Sequence, residues 1–154
     1  MKITKLIRNP NGLTLLELLA VVVILGIISA IAVPTFSKII ENTKKDTHIS
    51  NAIQIAEAAK MLVNTNTKSS DPESFLDIPI TLETLISEGH IYPVKDPSIN
   101  GAYYDQENTT VEISKISSGY QYIVKLVGNG LAIENAYTPN KDAYTLKRED
   151  ITIP

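Results

Sequence analysis

The sequence predicts an α+β protein. One long N-terminal helix, a membrane half followed by an amphipathic half, packs on a small antiparallel sheet of three or four strands. Three observations carry that prediction. Residues Leu18 to Ser37, a run of 20, hold no charge. Beyond the run, apolar residues recur every three or four positions as far as Val63, the spacing of one helix face. From Thr109 onward the period changes to two, the spacing of a half-buried strand.

At 1.5 Å per residue the uncharged run makes about 30 Å of helix, enough to cross a hydrocarbon core. Lys2, Lys5 and Arg8 form a basic head ahead of it, expected to stay cytoplasmic while the rest of the chain lies outside. Ile39, Ile40, Thr43, Ile49, Ala52, Ile53, Ala56, Ala59 and Val63 then make one stripe to bury against a domain. Asn64-Thr65-Asn66-Thr67 stops the helix, and the polar stretch to Pro79 reads as a loop.

Thr81 to Glu88 reads as a short helix with Thr81 as N-cap, Leu82, Leu85 and Ile86 inward, and Gly89 as its stop. Val111, Ile113 and Lys115 alternate with polar residues, Ser117-Ser118-Gly119 turns the chain, and Tyr120 to Val127 is a β-branched and aromatic strand. Gly128-Asn129-Gly130 is a tight-turn signal before a strand at Leu131 to Asn135. Tyr144 to Leu146, or Ile151 to Ile153, supplies an edge strand. Tyr103, Tyr104, Tyr120 and Tyr122 are expected to pack the sheet.

Composition removes several function classes. The chain has 154 residues and net charge -3, with both signs interspersed, whereas a nucleic-acid surface needs clustered Lys and Arg. It has no cysteine, so disulfide frameworks and cysteine-based metal or redox sites are excluded. His48 and His90 are far apart in sequence and are expected on the surface, His48 on the polar side of the long helix. No nucleophile elbow and no phosphate-binding glycine loop is present, so nothing reads as an enzyme.

Glu17 sits just inside the leading edge of the apolar run, where a carboxylate costs several kcal/mol unless it has a partner. A secretory signal peptide, with Ala30-Ile31-Ala32 as cleavage site, leaves that acid unexplained, and so does a plain single-pass anchor. The segment Gly12-Leu13-Thr14-Leu15-Leu16-Glu17 resembles the prepilin cleavage motif of type IV pilins and pseudopilins. In that family a membrane-embedded peptidase cuts after the glycine and N-methylates the new first residue. The resemblance implies a leader of residues 1–12, cleavage between Gly12 and Leu13, and methylation of Leu13. It implies a membrane and filament-core half-helix over 13–37 and an extracytoplasmic domain over 38–154. Gly12 keeps the cut bond open, and Pro10 stops helix from running back through it.

The resemblance also gives Glu17 a partner, the amino group of Leu13 in its own or a neighbouring subunit. Residues four apart share a helix face. Gly26 and Pro34 fall where helix-weakening residues recur in pilin stems, and mark places for a kink. Leu13 departs from the commoner Phe or Met. The implied partners are the prepilin peptidase and methyltransferase, further copies of the chain, minor pilins, a membrane assembly platform with its ATPase, and the bilayer before assembly. The implied location is the bacterial cytoplasmic membrane, single-pass with the N-terminus inside, then a surface filament. Adhesion or motility pili, competence pili and secretion pseudopili share these features. The lack of the C-terminal disulfide of many Gram-negative pilins favours a Gram-positive source. The rival reading is a membrane-anchored or secreted domain that binds an extracellular ligand.

The stretch Leu82 to Tyr104 resembles the loop of major pseudopilins and many Gram-positive pilins. Within and just beyond it, Asp96, Ser98, Asn100 and Glu107, with Gly101 at the sharp turn, approach the spacing of a calcium loop. Ser98 in a ligand position, Pro97 beside it and no flanking helix make a polar loop with a glycine turn the expected reading, with no metal and no cofactor.

Overall fold

The computed structural model describes residues 14–65, 72–130 and 136–153. The chain divides into two compact units, residues 1–40 and 41–154. Helix α1 runs Leu15–Thr65 without a break through Gly26 and Pro34. Pro34 has no N–H to give the carbonyl four residues back. Two nearby hydroxyls bond backbone carbonyls of the same turns, Thr35 Oγ1 to Ile31 O at 3.0 Å and Ser37 Oγ to Val33 O at 3.2 Å.

In the first unit the large apolar side chains of α1 are exposed, from Leu15 at 86% to Val21 at 46%. A helix apolar on every side belongs in a protein core or a bilayer rather than in water, and α1 is long and apolar enough to cross a membrane.

The second unit has its own core. Its sheet is antiparallel, in the order β1 (Ile80–Thr81), β2 (Thr110–Ile116), β3 (Gly119–Lys125). The period-two reading of β2 and β3 holds. Val111 and Ile113 lie opposite Val124 and Tyr122, and all four are buried beside Ala52, Ile55, Ala56 and Ala59 of α1. Ser117-Ser118 connects the hairpin, and Lys115 is exposed close to that turn.

The buried stripe of α1 is His48, Ala52, Ile55, Ala56, Ala58, Ala59, Leu62 and Val63. The expected stripe was right over Ala52, Ala56, Ala59 and Val63. It began too early: Ile39, Ile40 and Thr43 are exposed, because the packed face starts only at His48. It also passed over Ile55 and Leu62, which share the face at helical spacing.

The short helix α2 spans Leu82–Ser87, and its ends follow expectation. Thr81 Oγ1 accepts the Thr84 N–H at 3.1 Å. Gly89, at φ +77, closes a left-handed cap in which Gly89 N–H bonds Ile86 O and His90 N–H bonds Leu85 O. Leu82 and Leu85 are buried.

Two strand expectations change, and a third falls outside the described residues. The loop before Pro79 contains a 3-10 turn over Pro72–Phe75 and a bridge from Leu76 to Ile113, and Ile80–Thr81 supplies the third strand. The Leu131–Asn135 strand lies outside the described residues. Tyr144–Leu146 and Ile151–Ile153 do not form an edge strand: Ala143–Thr145 is a 3-10 turn, held where Asp142 O accepts both the N–H and the hydroxyl of Thr145. Pro139 lacks a ladder donor, and side chains stand in for the missing strand along β3. Thr138 Oγ1 accepts the Leu126 N–H at 2.9 Å and donates to Val124 O at 2.6 Å, while Asp142 Oδ1 accepts the Tyr122 N–H at 3.0 Å.

Ile55 is fully buried and Tyr92 is 89% exposed. Ile55→Ala in the full chain in detergent should lower unfolding free energy by about 2–5 kcal/mol, read as a lower urea midpoint. Tyr92→Ala should stay within about 0.5 kcal/mol of the native chain.

Candidate functional site

Two sites emerge, one in each unit. The first is the start of α1. Thr14 stands just before the helix, its Oγ1 accepts the Glu17 N–H at 3.2 Å, and its carbonyl accepts the Leu18 N–H at 3.1 Å. Thr14 is therefore the N-cap and Glu17 the third helical residue, the spacing of a capping box. An acid in the first turn also suits the positive end of the helix dipole. Gly12 and Leu13 lie outside the described residues. Gly26 has open space where a side chain would project.

The second site is a chain of hydrogen bonds inside the outer unit, and it corrects the placement of His48. Instead of facing solvent, His48 is completely buried. Its Nδ1 lies 2.6 Å from Tyr104 Oη and its Nε2 lies 2.8 Å from Ser98 Oγ. Asn51 Nδ2 donates to the Lys95 carbonyl and to Tyr104 Oη. His48 bridges the Tyr104 and Ser98 hydroxyls, giving a hydrogen bond through one ring nitrogen and accepting one through the other. Tyr137 Oη donates to Asp96 Oδ2 at 2.8 Å. The chain ends on a carboxylate whose other oxygen accepts the Ser98 N–H at 2.7 Å. The His48 and Tyr137 rings lie 4.2 Å apart, centre to centre.

The chain is a fastening among α1, the loop at 95–104 and Tyr137. Burial depresses the His48 imidazole from 6.5 to about 4, against the opposing charge of Asp96 and with a small push the same way from Lys44. Burial also raises both the Tyr104 and Tyr137 phenols above their ordinary range.

The four calcium candidates are not brought together by this arrangement. Asp96 is buried with both oxygens engaged, and Ser98 Oγ faces His48, whereas Asn100 and Glu107 are exposed. Gly101 does make the sharp turn, at φ +74. Asp105, rather than Glu107, holds the end of this loop. It accepts the Asn108 side-chain amide and the N–H groups of Asn108 and Glu107, which keep its carboxyl below the ordinary range. Among the described residues no three His, Asp or Glu side chains converge as a metal site.

Of the tyrosines expected in the sheet, Tyr122 is in the core and Tyr120 packs against it. Tyr104 is buried in the loop beside His48, and Tyr103 is 42% exposed. His90 is half-buried, 3.5 Å from the Thr65 hydroxyl. Sequence reasoning missed His48, Asn51 and Tyr137 as partners. The signal for His48 was its phase, since 48, 52, 55, 59 and 62 fall on one helix face. The signal for the cap was the Thr14-Leu-Leu-Glu17 spacing.

With this geometry in hand, comparison with known proteins gives one result. Residues 7–33 match the family model of the prokaryotic N-terminal methylation motif. That motif is consistent with the type IV pilin and pseudopilin family. Such a motif implies processing by a prepilin peptidase and, in general, assembly into pilin filaments, and with the apolar helix it is consistent with membrane anchoring before assembly. No curated protein and no solved structure matches the chain.

The depressed His48 imidazole makes stability depend on acid. Between pH 6.5 and about 4 the unfolded chain binds a proton that the folded chain does not. Stability should therefore fall as pH drops through that window, by on the order of 3 kcal/mol across it. Urea midpoints at pH 7 and 4.5 measure the loss, and His48→Gln should remove that part of the slope.

Proposed function

We propose that this chain is the structural subunit of a type IV pilus or pseudopilus-like filament. It enters the cytoplasmic membrane as a prepilin with its basic head inside, is cut between Gly12 and Leu13, and is methylated at the Leu13 nitrogen. It then leaves the bilayer to polymerise with further copies and minor subunits on an ATPase-driven platform. The observation that carries this reading is the methylation motif over residues 7–33 at the start of a helix that is apolar on all sides. The continuation of that helix carries a small α+β unit with its own core. Adhesion, motility, DNA uptake and protein secretion are the roles open to such a filament.

In this reading Glu17 is the assembly residue. A carboxylate in a bilayer or filament core persists only with a partner that offsets its desolvation. Cleavage creates one, the charged amino group of Leu13 four residues back. The loop at 96–107 acts in the same reading as a metal-free fastening, since its buried acid is already satisfied by Tyr137 and Ser98.

Intact-mass analysis of the mature chain tests the processing. It should begin at Leu13 and carry one N-methyl group; a chain beginning at Val33 would show a signal peptide instead. Glu17→Ala should be inserted, folded and cut as the native chain is, yet sheared filaments should fall at least tenfold. Normal filament yield from the cut variant would remove Glu17 from assembly. For the loop, millimolar calcium should leave the melting temperature of the full chain unchanged relative to chelator. A rise of several degrees would make it a metal site by mass action.

A further inference from the structure

We propose that Thr14 is a positioning residue for processing, an inference that rests on the reading that the chain is cut after Gly12. In a helix that began earlier, the Glu17 N–H would bond the carbonyl four residues back, that of Leu13. In the structure the Thr14 hydroxyl takes that N–H instead, at 3.2 Å, and α1 begins at Leu15. The cap engages the N–H that a helix begun earlier would need.

The competing start is written in the sequence. Leucine is a good helix former, and Asn11 is one of the preferred N-cap residues. A helix begun on Asn11 would hold Gly12 and Leu13 in its first turn, with the bond between them wound inside it. Peptides enter a binding cleft extended, held by main-chain hydrogen bonds, and a wound bond offers neither. Thr14 tips the balance toward the start at Leu15, with Glu17 supporting it from the third helical position. Processing adds water across the bond from Gly12 carbon to Leu13 nitrogen and leaves a carboxylate and an amine, so what Thr14 contributes is the conformation of the bond that breaks.

The test uses the full chain in membranes with prepilin peptidase and follows the rate at which product beginning at Leu13 appears. Thr14→Val keeps the shape and the branching but has no oxygen to cap with; Thr14→Ser and Thr14→Asp cap without the same shape. Thr14 lies at the exposed end of α1, outside the core of the outer unit, so folding is not at issue. The rate should fall about three- to tenfold in Thr14→Val, and stay within about twofold of native in the other two. Equal rates in all four chains, or a fast Val and a slow Asp, overturn the inference, because shape rather than capping would then decide. A native chain that is not cut after Gly12 overturns the prepilin reading along with it. A native chain cut there while Thr14→Val keeps pace leaves that reading standing and removes only the role of Thr14.

Discussion

Burial of one stripe of α1, from His48 to Val63, is the constraint on which the outer unit depends. A two-residue β1 and one hairpin bury too little apolar surface to stand alone. The stripe supplies the missing wall: four of its eight residues are alanines, which leave room for the larger Tyr104, Ile113 and Tyr137 in the same core. Small side chains on the helix and large ones opposite are a packing solution in which neither partner is replaceable by itself.

Within that wall the polar chain from Asn51 to Asp96 is held to a stricter condition than the apolar core. Apolar contacts lose strength gradually when a side chain shifts, whereas a buried polar group left without a partner carries its full desolvation cost. Every buried side-chain nitrogen or oxygen among the described residues has a partner. The loop at 95–104 is thus tied to α1 and to Tyr137 in one register. The C-terminal stretch is tied down separately, by the paired bonds of Arg148 to Asp46, by Tyr144 to Glu57, and by the Thr138 and Asp142 side chains along β3. Exposed ion pairs contribute little energy, so the buried threonine bonds carry more of that fastening.

The first unit follows a different rule. Its helix has no inward face, because every large apolar side chain from Leu15 to Ile40 is exposed, and the surroundings it is built for are apolar on all sides. The two polar features at its head, the Thr14 cap and Glu17, sit where backbone N–H groups lack partners. The threonine caps the helix terminus, and the acid in its first turn suits the positive end of the helix dipole.

What the sequence determined by itself were the features that local physics decides. Period 3.6 made α1, period two made β2 and β3, and Thr81 and Gly89 set the ends of α2. Glycine, an apolar run and an acid at one spacing marked the prepilin motif. Each is a pattern along the chain, legible because neighbours in sequence impose it. Tertiary structure alone decided which residues of α1 are buried, since Ile39 and Ile40 lie exposed and His48 lies buried, each against its own polarity. It decided that Ser98 turns toward a histidine 50 residues earlier while Asp96 meets Tyr137, and that the Thr138 and Asp142 side chains line β3 in place of a strand. Those outcomes depend on groups far apart in sequence meeting in one small core, where a hydrogen bond not made is costly and no local pattern records who the partner will be.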